Sequence, residues 1–182
     1  MKVIDLYCGL GGWAEGLADA GMEVTGYDII DFSSYYPGKF MQADLLKYHD
    51  FPDADVIVAS PPCTEFSKAS FPPTWKSVVR FPPDIEMAER LFNRVYEIVG
   101  LVRPKYYIIE NVRGAQKFMG KAKMHAGSRY FWGDFPEFEV QDKSGIYGKY
   151  KLPPSSMRPA IRSKIPFSIS HEFARKLLEV KA

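Results

Sequence analysis

Cys63 follows an apolar run and two prolines, in Pro61-Pro62-Cys63, and Glu110-Asn111-Val112 ends a second apolar run downstream. A thiol and a carboxylate delivered from the ends of two strands are the groups needed to add a nucleophile to a pyrimidine ring and protonate it. Upstream, Asp5-Leu6-Tyr7-Cys8-Gly9-Leu10-Gly11-Gly12 sets a glycine-rich turn between an apolar run and a helical pattern. Such a turn lets a ligand approach the backbone closely and makes a cofactor pocket.

Each feature has a plainer alternative. Two prolines fix the backbone and stop a strand, which puts the Cys63 thiol at the mouth of a sheet. A lone cysteine is otherwise a small buried hydrophobe, the reading that suits Cys8. Thr64-Glu65-Phe66-Ser67 continue the Cys63 motif, with Ser67 offered to a phosphate. Glu110 ends an apolar strand, where desolvation raises a carboxyl pKa and suits it to proton work; the alternative is an acid capping a helix. The glycine pattern is Gly-x-Gly-Gly, not the dinucleotide G-x-G-x-x-G, so NAD is not favoured. Asp28 closes the second strand, where it can accept from ribose hydroxyls, and Asp44 closes the third, where it can read an adenine amino group. A single acid there is ordinarily a solvated cap. Three features at the carboxyl ends of consecutive strands sit where open α/β sheets bind ligands.

The elements that must position these groups alternate between β and α. Strands are expected over 3–7, 23–27, 40–43, 54–59, 106–109 and 129–132. A first helix carries Trp13, Leu17 and Ala20 and stops at Gly21. Asp84 is the expected N-cap of a second, with Ile85, Ala88, Phe92, Val95 and Val99 at helical spacing and Gly100 and Pro104 bracketing its end. A last helix starts at Ser170 or His171. Residues 64–83 hold four prolines and no periodicity and read as a long loop. Alternation with short connections implies an α/β fold, a mostly parallel sheet with helices on both faces.

With 182 residues and 46% hydrophobic content, the chain is expected to form one soluble domain. No apolar run approaches the ~20 residues that span a bilayer, and no leader pattern opens the chain. Two cysteines make no disulfide scaffold, which fits a reducing, cytoplasmic setting. No His/Cys cluster has metal-ligand spacing, so no metal is expected. The net charge of +2 is uneven. Residues 1–62 carry three basic side chains against ten acidic ones; the remainder carries 21 against 12. Arg113 to Arg129 and Lys143 to Lys164 contain basic residues and no acids. An acidic half beside a basic one fits a small-molecule pocket joined to a nucleic-acid face, or simply an unevenly charged solvated surface.

DLYCGLGG, PPCTEFS and ENV, in this order over about the first two-thirds of the chain, resemble the cofactor, nucleophile and glutamate motifs of the cytosine-5 DNA methyltransferase family. The resemblance implies a Rossmann-like class I methyltransferase fold, S-adenosylmethionine as cofactor, and methyl transfer to carbon 5 of cytosine through a covalent Cys63 adduct. It implies Tyr7 against the adenine, and Gly9, Leu10, Gly11 and Gly12, with Asp5, as the methionine-side turn. It further implies Asp28 with Ile29 at the ribose, Asp44 and Leu45 at the adenine, and Pro61 beside the cofactor. On the substrate side it implies Cys63 as nucleophile, Glu110 at N3 and Arg129 at O2, with Pro62, Phe66, Ser67 and Arg80 binding substrate and Asn111 bracing the loop. The DNA partner would offer a flipped or single-stranded cytosine.

The match departs in two places. The family's later Gln-x-Arg-x-Arg pattern is represented by His125, Gly127 and Arg129, so only its last arginine is kept, and 162–166 carry no clear match to the final cofactor motif. Only residues 134–158 stand where the family inserts a target-recognition domain. The expectation is a single catalytic domain over 1–182 with 134–158 as a minimal recognition loop. Sequence recognition would then be short or weak, aided by a second copy or a protein partner. An RNA substrate, or a catalytically idle binding module, stays open at this point.

Overall fold

The short β-rich runs assemble into a seven-stranded sheet among the residues that the computed structural model describes, 1–71, 81–140 and 158–181. The strands are β1 (Lys2–Leu6), β2 (Glu23–Asp28), β3 (Lys39–Gln42), β4 (Val56–Ala59), β5 (Tyr106–Val112), β6 (Met124–Ala126) and β7 (Arg129–Asp134). They lie in the order β3-β2-β1-β4-β5-β7-β6. β1 to β5 are mutually parallel, and β7 runs antiparallel to both β5 and β6. The chain reverses its direction of winding between β1 and β4, the place where a doubly wound sheet opens a crevice beyond its strand ends. The mostly parallel α/β sheet expected from the sequence is therefore present.

Among the described residues, six helices accompany the sheet: α1 (Gly12–Asp19), α2 (Thr64–Ala69), α3 (Ile85–Val102), α4 (Gln116–Met119), α5 (Arg158–Ser163) and α6 (Phe167–Glu179). Alternate strand residues serve opposite faces. Val3, Val56, Val58, Ile108 and Phe131 pack with Trp13 and Leu17 of α1 and Phe173 and Leu177 of α6. Ile4, Ile57, Ala59, Ile109 and Trp132 pack with Phe66 of α2 and Phe92, Val95 and Ile98 of α3. Both faces are covered, as expected. No helix among the described residues is long and apolar enough to cross a membrane.

Several boundaries differ from the sequence expectation, each for a physical reason. Residues 64–69 are helical rather than part of a loop, because Phe66, with no exposed surface, anchors the turn against Phe92 and Phe118; burying such a ring contributes roughly 2 kcal/mol. Asp84 does cap α3, its Oδ1 accepting from the Met87 N–H at 3.0 Å. That helix runs through Gly100 and stops at Val102, where Arg103 turns left-handed ahead of Pro104. The last helix begins at Phe167, since Pro166 fixes its entry one residue earlier. β6, α4 and α5 were not anticipated: three to six residues are too few to show a period.

Candidate active site

The glycine turn closes the crevice from below. Tyr7, Gly9 and Gly11 all have positive φ (54°, 48° and 76°). A Cβ on Gly9 would meet nothing within 4 Å, so that backbone borders open space, whereas a Cβ on Gly11 would stand 2.4 Å from Pro37. Tyr7 holds its strained backbone with a hydroxyl that donates to the Leu91 carbonyl of α3 at 2.9 Å. Gly12 abuts the backbone of Ile165, and a Cβ there would come within 2.4 Å of its nitrogen. Leu10 is buried beneath the turn.

The acids expected at the strand ends take distinct positions. Asp28 at the end of β2 accepts from Gly9 N–H (2.9 Å) and Ile30 N–H (3.0 Å), which ties β2 to the glycine turn. Partial burial pushes its carboxyl pKa up, against these backbone donors. With backbone donors at Gly9, Ile29 and Ile30, the carboxylate keeps acceptor capacity for a hydroxyl group. Ile29 beside it is 63% exposed, and Asp44 accepts from Leu46 N–H at 3.1 Å. Leu45 turns its side chain into the core and offers its carbonyl to Arg94. Asp5 lies deeper, wholly buried. Tyr36 donates to its Oδ2 at 3.0 Å, and its Oδ1 has no hydrogen-bond partner. The open backbone at Gly9, the half-exposed apolar Ile29 and the carboxylates of Asp28 and Asp44 fit a nucleoside with hydroxyl and amino groups.

The chemical groups meet on the far side of the same crevice. β4 and β5 pair up to Ala59 with Ile109, so Ser60, just past β4, stands beside Glu110, which β5 still pairs with Phe131 of β7. Pro61 is buried and Pro62 exposed, and the chain turns into α2 with Cys63 at its N-cap, half-buried. Asn111 locks this turn to β5: its Nδ2 donates to the Pro61 carbonyl at 2.9 Å, and its Oδ1 accepts from Val112 N–H. Glu110 is 6% exposed, and burial raises its carboxyl pKa against the lowering influence of Arg129 and the Ser60 hydroxyl. The Cys63 thiol is also raised, by burial first and then by the charge of Glu110, while Arg129 pulls it back. The three side chains thus share one electrostatic site.

Arg129 is fixed on all its terminal nitrogens. Nη1 donates to Glu110 Oε1 at 3.1 Å and to the Ser163 carbonyl at 2.9 Å; Nη2 reaches the carbonyls of Lys164 (2.9 Å) and Arg162 (3.5 Å). Lys164 in turn pairs with the buried Glu15 of α1.

Of the expected site residues, the structure gathers Cys63, Glu110, Asn111 and Arg129 on one side and Tyr7, Gly9, Asp28 and Ile29 on the other. It does not bring Phe66 to the surface of the site: this ring is core. Ser67 lies on α2, its N–H bonded to the Cys63 carbonyl at 3.0 Å. Arg80 lies outside the described residues, as do residues 141–157 of the expected recognition loop. Sequence reasoning missed Ser60, Trp13, Arg94 and Tyr36 as partners of the site. Ser60 stands directly before the prolines and Trp13 directly after the glycine turn, which was the available signal. No group of three or more His, Cys, Asp or Glu side chains suited to a metal occurs among the described residues.

The chain is similar to known proteins. Residues 1–125 match the family model of C-5 cytosine-specific DNA methylases. The type II methyltransferase M.NgoPII of Neisseria gonorrhoeae is 30% identical over 124 residues, covering 63% of this chain and 34% of its own length. M.FnuDI of Fusobacterium nucleatum is 26% identical over 122 residues, covering 63% and 33%. The chain spans about a third of the length of the curated relatives it matches. A solved structure described as a DNA modification methyltransferase encoded within an E. coli prophage superposes with a TM-score of 0.50 at 23% identity, over 65% of this chain and 34% of that one. The fold is the Rossmann-like class I methyltransferase fold.

Proposed function

This chain belongs to the C-5 cytosine-specific DNA methylases, and we propose that it methylates carbon 5 of cytosine in DNA through a transient bond to Cys63. The observation that carries the proposal is the placement of the Cys63 thiol, in the turn after β4, near the Glu110 carboxyl of β5, whose charge it senses and which Arg129 holds at 3.1 Å.

S-adenosylmethionine, when bound, supplies an electrophilic methyl group. Tyr7, Gly9, Leu10, Gly11 and Gly12 would hold its methionine side and ring plane, with Asp5 beneath. Asp28 and Ile29 would take the ribose, and Asp44 and Leu45 the adenine, with Pro61 at the edge. Pro62, Ser67, Arg80 and Asn111 would contact or shape the substrate side, and Phe66 would support α2 from the core.

Cys63 loses its proton to solvent and its sulfur bonds to carbon 6 of the ring. Glu110, kept protonated more readily by burial, gives its proton to N3, so the electron pair of the carbon 5–carbon 6 double bond is available at carbon 5. Once carbon 5 carries the methyl group, its proton leaves to solvent, the carbon 6–sulfur bond breaks, and its electrons return to Cys63. Glu110 recovers the N3 proton. Neither side chain reaches a stacked base, so the target cytosine is flipped or single-stranded. Arg113, Lys117, Lys121 and Lys123 are exposed on the stretch between β5 and β7, where they suit phosphates. Residues 1–182 would act as one catalytic domain, with 134–158 serving recognition, aided by a second copy or a protein partner.

Oligonucleotides containing 5-fluorocytosine test this reading, because fluorine at carbon 5 cannot leave as a proton and the adduct persists. With S-adenosylmethionine, a denaturation-resistant adduct is expected on duplex or single-stranded DNA and none with Cys63→Ala. An adduct on RNA alone would reassign the substrate. No adduct on either, with tight cofactor binding, would make the chain an idle binding module.

A further inference from the structure

The Trp13 indole nitrogen donates to Ser60 Oγ at 3.1 Å. Ser60 directly follows Ala59, which pairs with Ile109, so it stands beside Glu110, and its hydroxyl lowers the pKa of that carboxyl. An indole N–H is a donor only, and an ionised carboxylate an acceptor only. With one lone pair of Oγ taken by Trp13, the hydroxyl hydrogen is the part left to face Glu110. The indole is itself immobile: it is 2% exposed and sits edge-on to Phe131 (6.1 Å between ring centres) and Phe173 (5.7 Å).

We propose that Ser60, its hydroxyl steered by the Trp13 indole, is a positioning residue for Glu110, an assignment that rests on the role given to Glu110 above. Arg129 holds the carboxylate from β7, and Ser60 holds it from the end of β4, so the group is gripped from two directions. The charged and titratable groups facing Glu110 are Arg129 from β7 and Cys63 from the turn after β4. The Lys164 ammonium is turned away, to Glu15. Trp13, on α1 beside the glycine turn, thereby connects the two sides of the crevice.

The first test needs no substrate. In uniformly 15N-labelled protein, the indole N–H signals of Trp13, Trp75 and Trp132 are resolved, and Trp13→Phe identifies the first. Its signal is expected to move as the pH rises above 4.5, the ordinary value from which Glu110 is raised, and before the Cys63 thiol titrates above 9.0. It should stay still over that range in Glu110→Gln, and in Ser60→Ala it should lie elsewhere and no longer follow pH. The second test is the 5-fluorocytosine adduct. Ser60→Ala should form it roughly tenfold more slowly, the usual loss for a hydrogen bond to a charged group, with unchanged affinity for S-adenosylhomocysteine, and Ser60→Thr should restore the rate. A Trp13 signal that ignores pH, that titrates equally in Glu110→Gln, or a Ser60→Ala rate equal to wild type would overturn the assignment. Should even the wild-type protein form no adduct, the methyltransferase reading fails, and the indole titration alone decides whether Ser60 couples Trp13 to Glu110.

Discussion

Arg129 donates from Nη1 to Glu110 Oε1 at 3.1 Å while its remaining Nη donors are spent on the carbonyls of residues 162–164. One planar fork therefore joins the Glu110 carboxylate of β5 to the segment that leads into the last helix. The same segment presses Ile165 against Gly12 and pairs Lys164 with Glu15. The return of the chain over α1 thus braces both the glycine turn and the acid, although the two are far apart in sequence.

Arg129→Lys keeps the charge and loses the fork. A lysine ammonium cannot satisfy the Glu110 oxygen and three carbonyls from one point. The adduct rate on a 5-fluorocytosine oligonucleotide is expected to fall by about tenfold or more, and thermal stability by about 1–2 kcal/mol. Melting curves and single-turnover adduct assays measure both; a lysine variant equal to wild type in each would show that the carbonyl contacts contribute nothing.

The Cys63 thiol should answer to its neighbours' charges. Glu110 raises its pKa and Arg129 lowers it. Removing the carboxylate in Glu110→Gln brings the thiol pKa down, so alkylation by iodoacetamide at a fixed pH below the midpoint speeds up several-fold and the profile shifts to lower pH. Arg129→Met does the reverse. Cys8 is buried and its thiol pKa is raised well above the usual range, so in folded protein the signal belongs to Cys63. Profiles that coincide for all three proteins would mean the groups do not sense one another.

Most of the strands, though not their order in the sheet, could be read from β-rich runs such as those leading to Asp28, Ser60 and Glu110, because a parallel strand buried on both faces leaves a continuous apolar signature. The candidate nucleophile and acid were legible because chemistry needs those residue types at strand ends. What stayed hidden was the support. Ser60 to Trp13 and Arg94 to Leu45 are contacts between residues 47 and 49 positions apart, made by side chains of ordinary type, and no local period encodes them. Phe66 was misplaced for a related reason: its position beside Cys63 in sequence points to the site, while the helical turn of α2 rotates its ring into the core.

Asp5 should make stability fall as pH rises. Its carboxyl is raised well above 3.8 by burial, with the Tyr36 hydroxyl opposing the shift and Asp28 adding to it. The folded state therefore holds a proton that the unfolded state releases near pH 3.8, so the stabilisation is complete below that pH and is lost as pH climbs through the folded value. Asp5→Asn keeps an acceptor for Tyr36 and removes the charge. At neutral pH, a gain of about 1 kcal/mol, or about 2–4 °C in Tm for a chain of this size, is expected. Unfolding curves at pH 4.5 and 7.5 check it: the gain should be smaller at the lower pH, and an equal gain at both would reject the buried-acid account.

Arg94 should matter to cofactor affinity although it lies behind the pocket wall. It is almost wholly buried on α3, and its guanidinium donates to the carbonyls of Leu45 and Tyr48, each at 2.8 Å, with His49 Nδ1 3.1 Å away. These bonds fix the turn that follows β3, which carries Asp44 and Leu45. The same helix anchors Tyr7 through the Leu91 carbonyl, so α3 holds two edges of the proposed adenine site at once. The ion pair to Glu97 adds little, since that carboxylate is mostly solvated. Arg94→Met would leave two carbonyls unpaired, costing about 2–4 kcal/mol of stability. In the fraction that remains folded, calorimetry should find S-adenosylhomocysteine bound roughly tenfold more weakly, because the turn would be free to move the Asp44 carboxylate off the adenine amino group. The Cys63 alkylation profile, governed by Glu110 and Arg129 on the other side of the crevice, should not change. Affinity equal to wild type in folded Arg94→Met would show that the turn keeps its shape unaided, and a shifted alkylation profile would show that the two sides of the crevice are mechanically coupled.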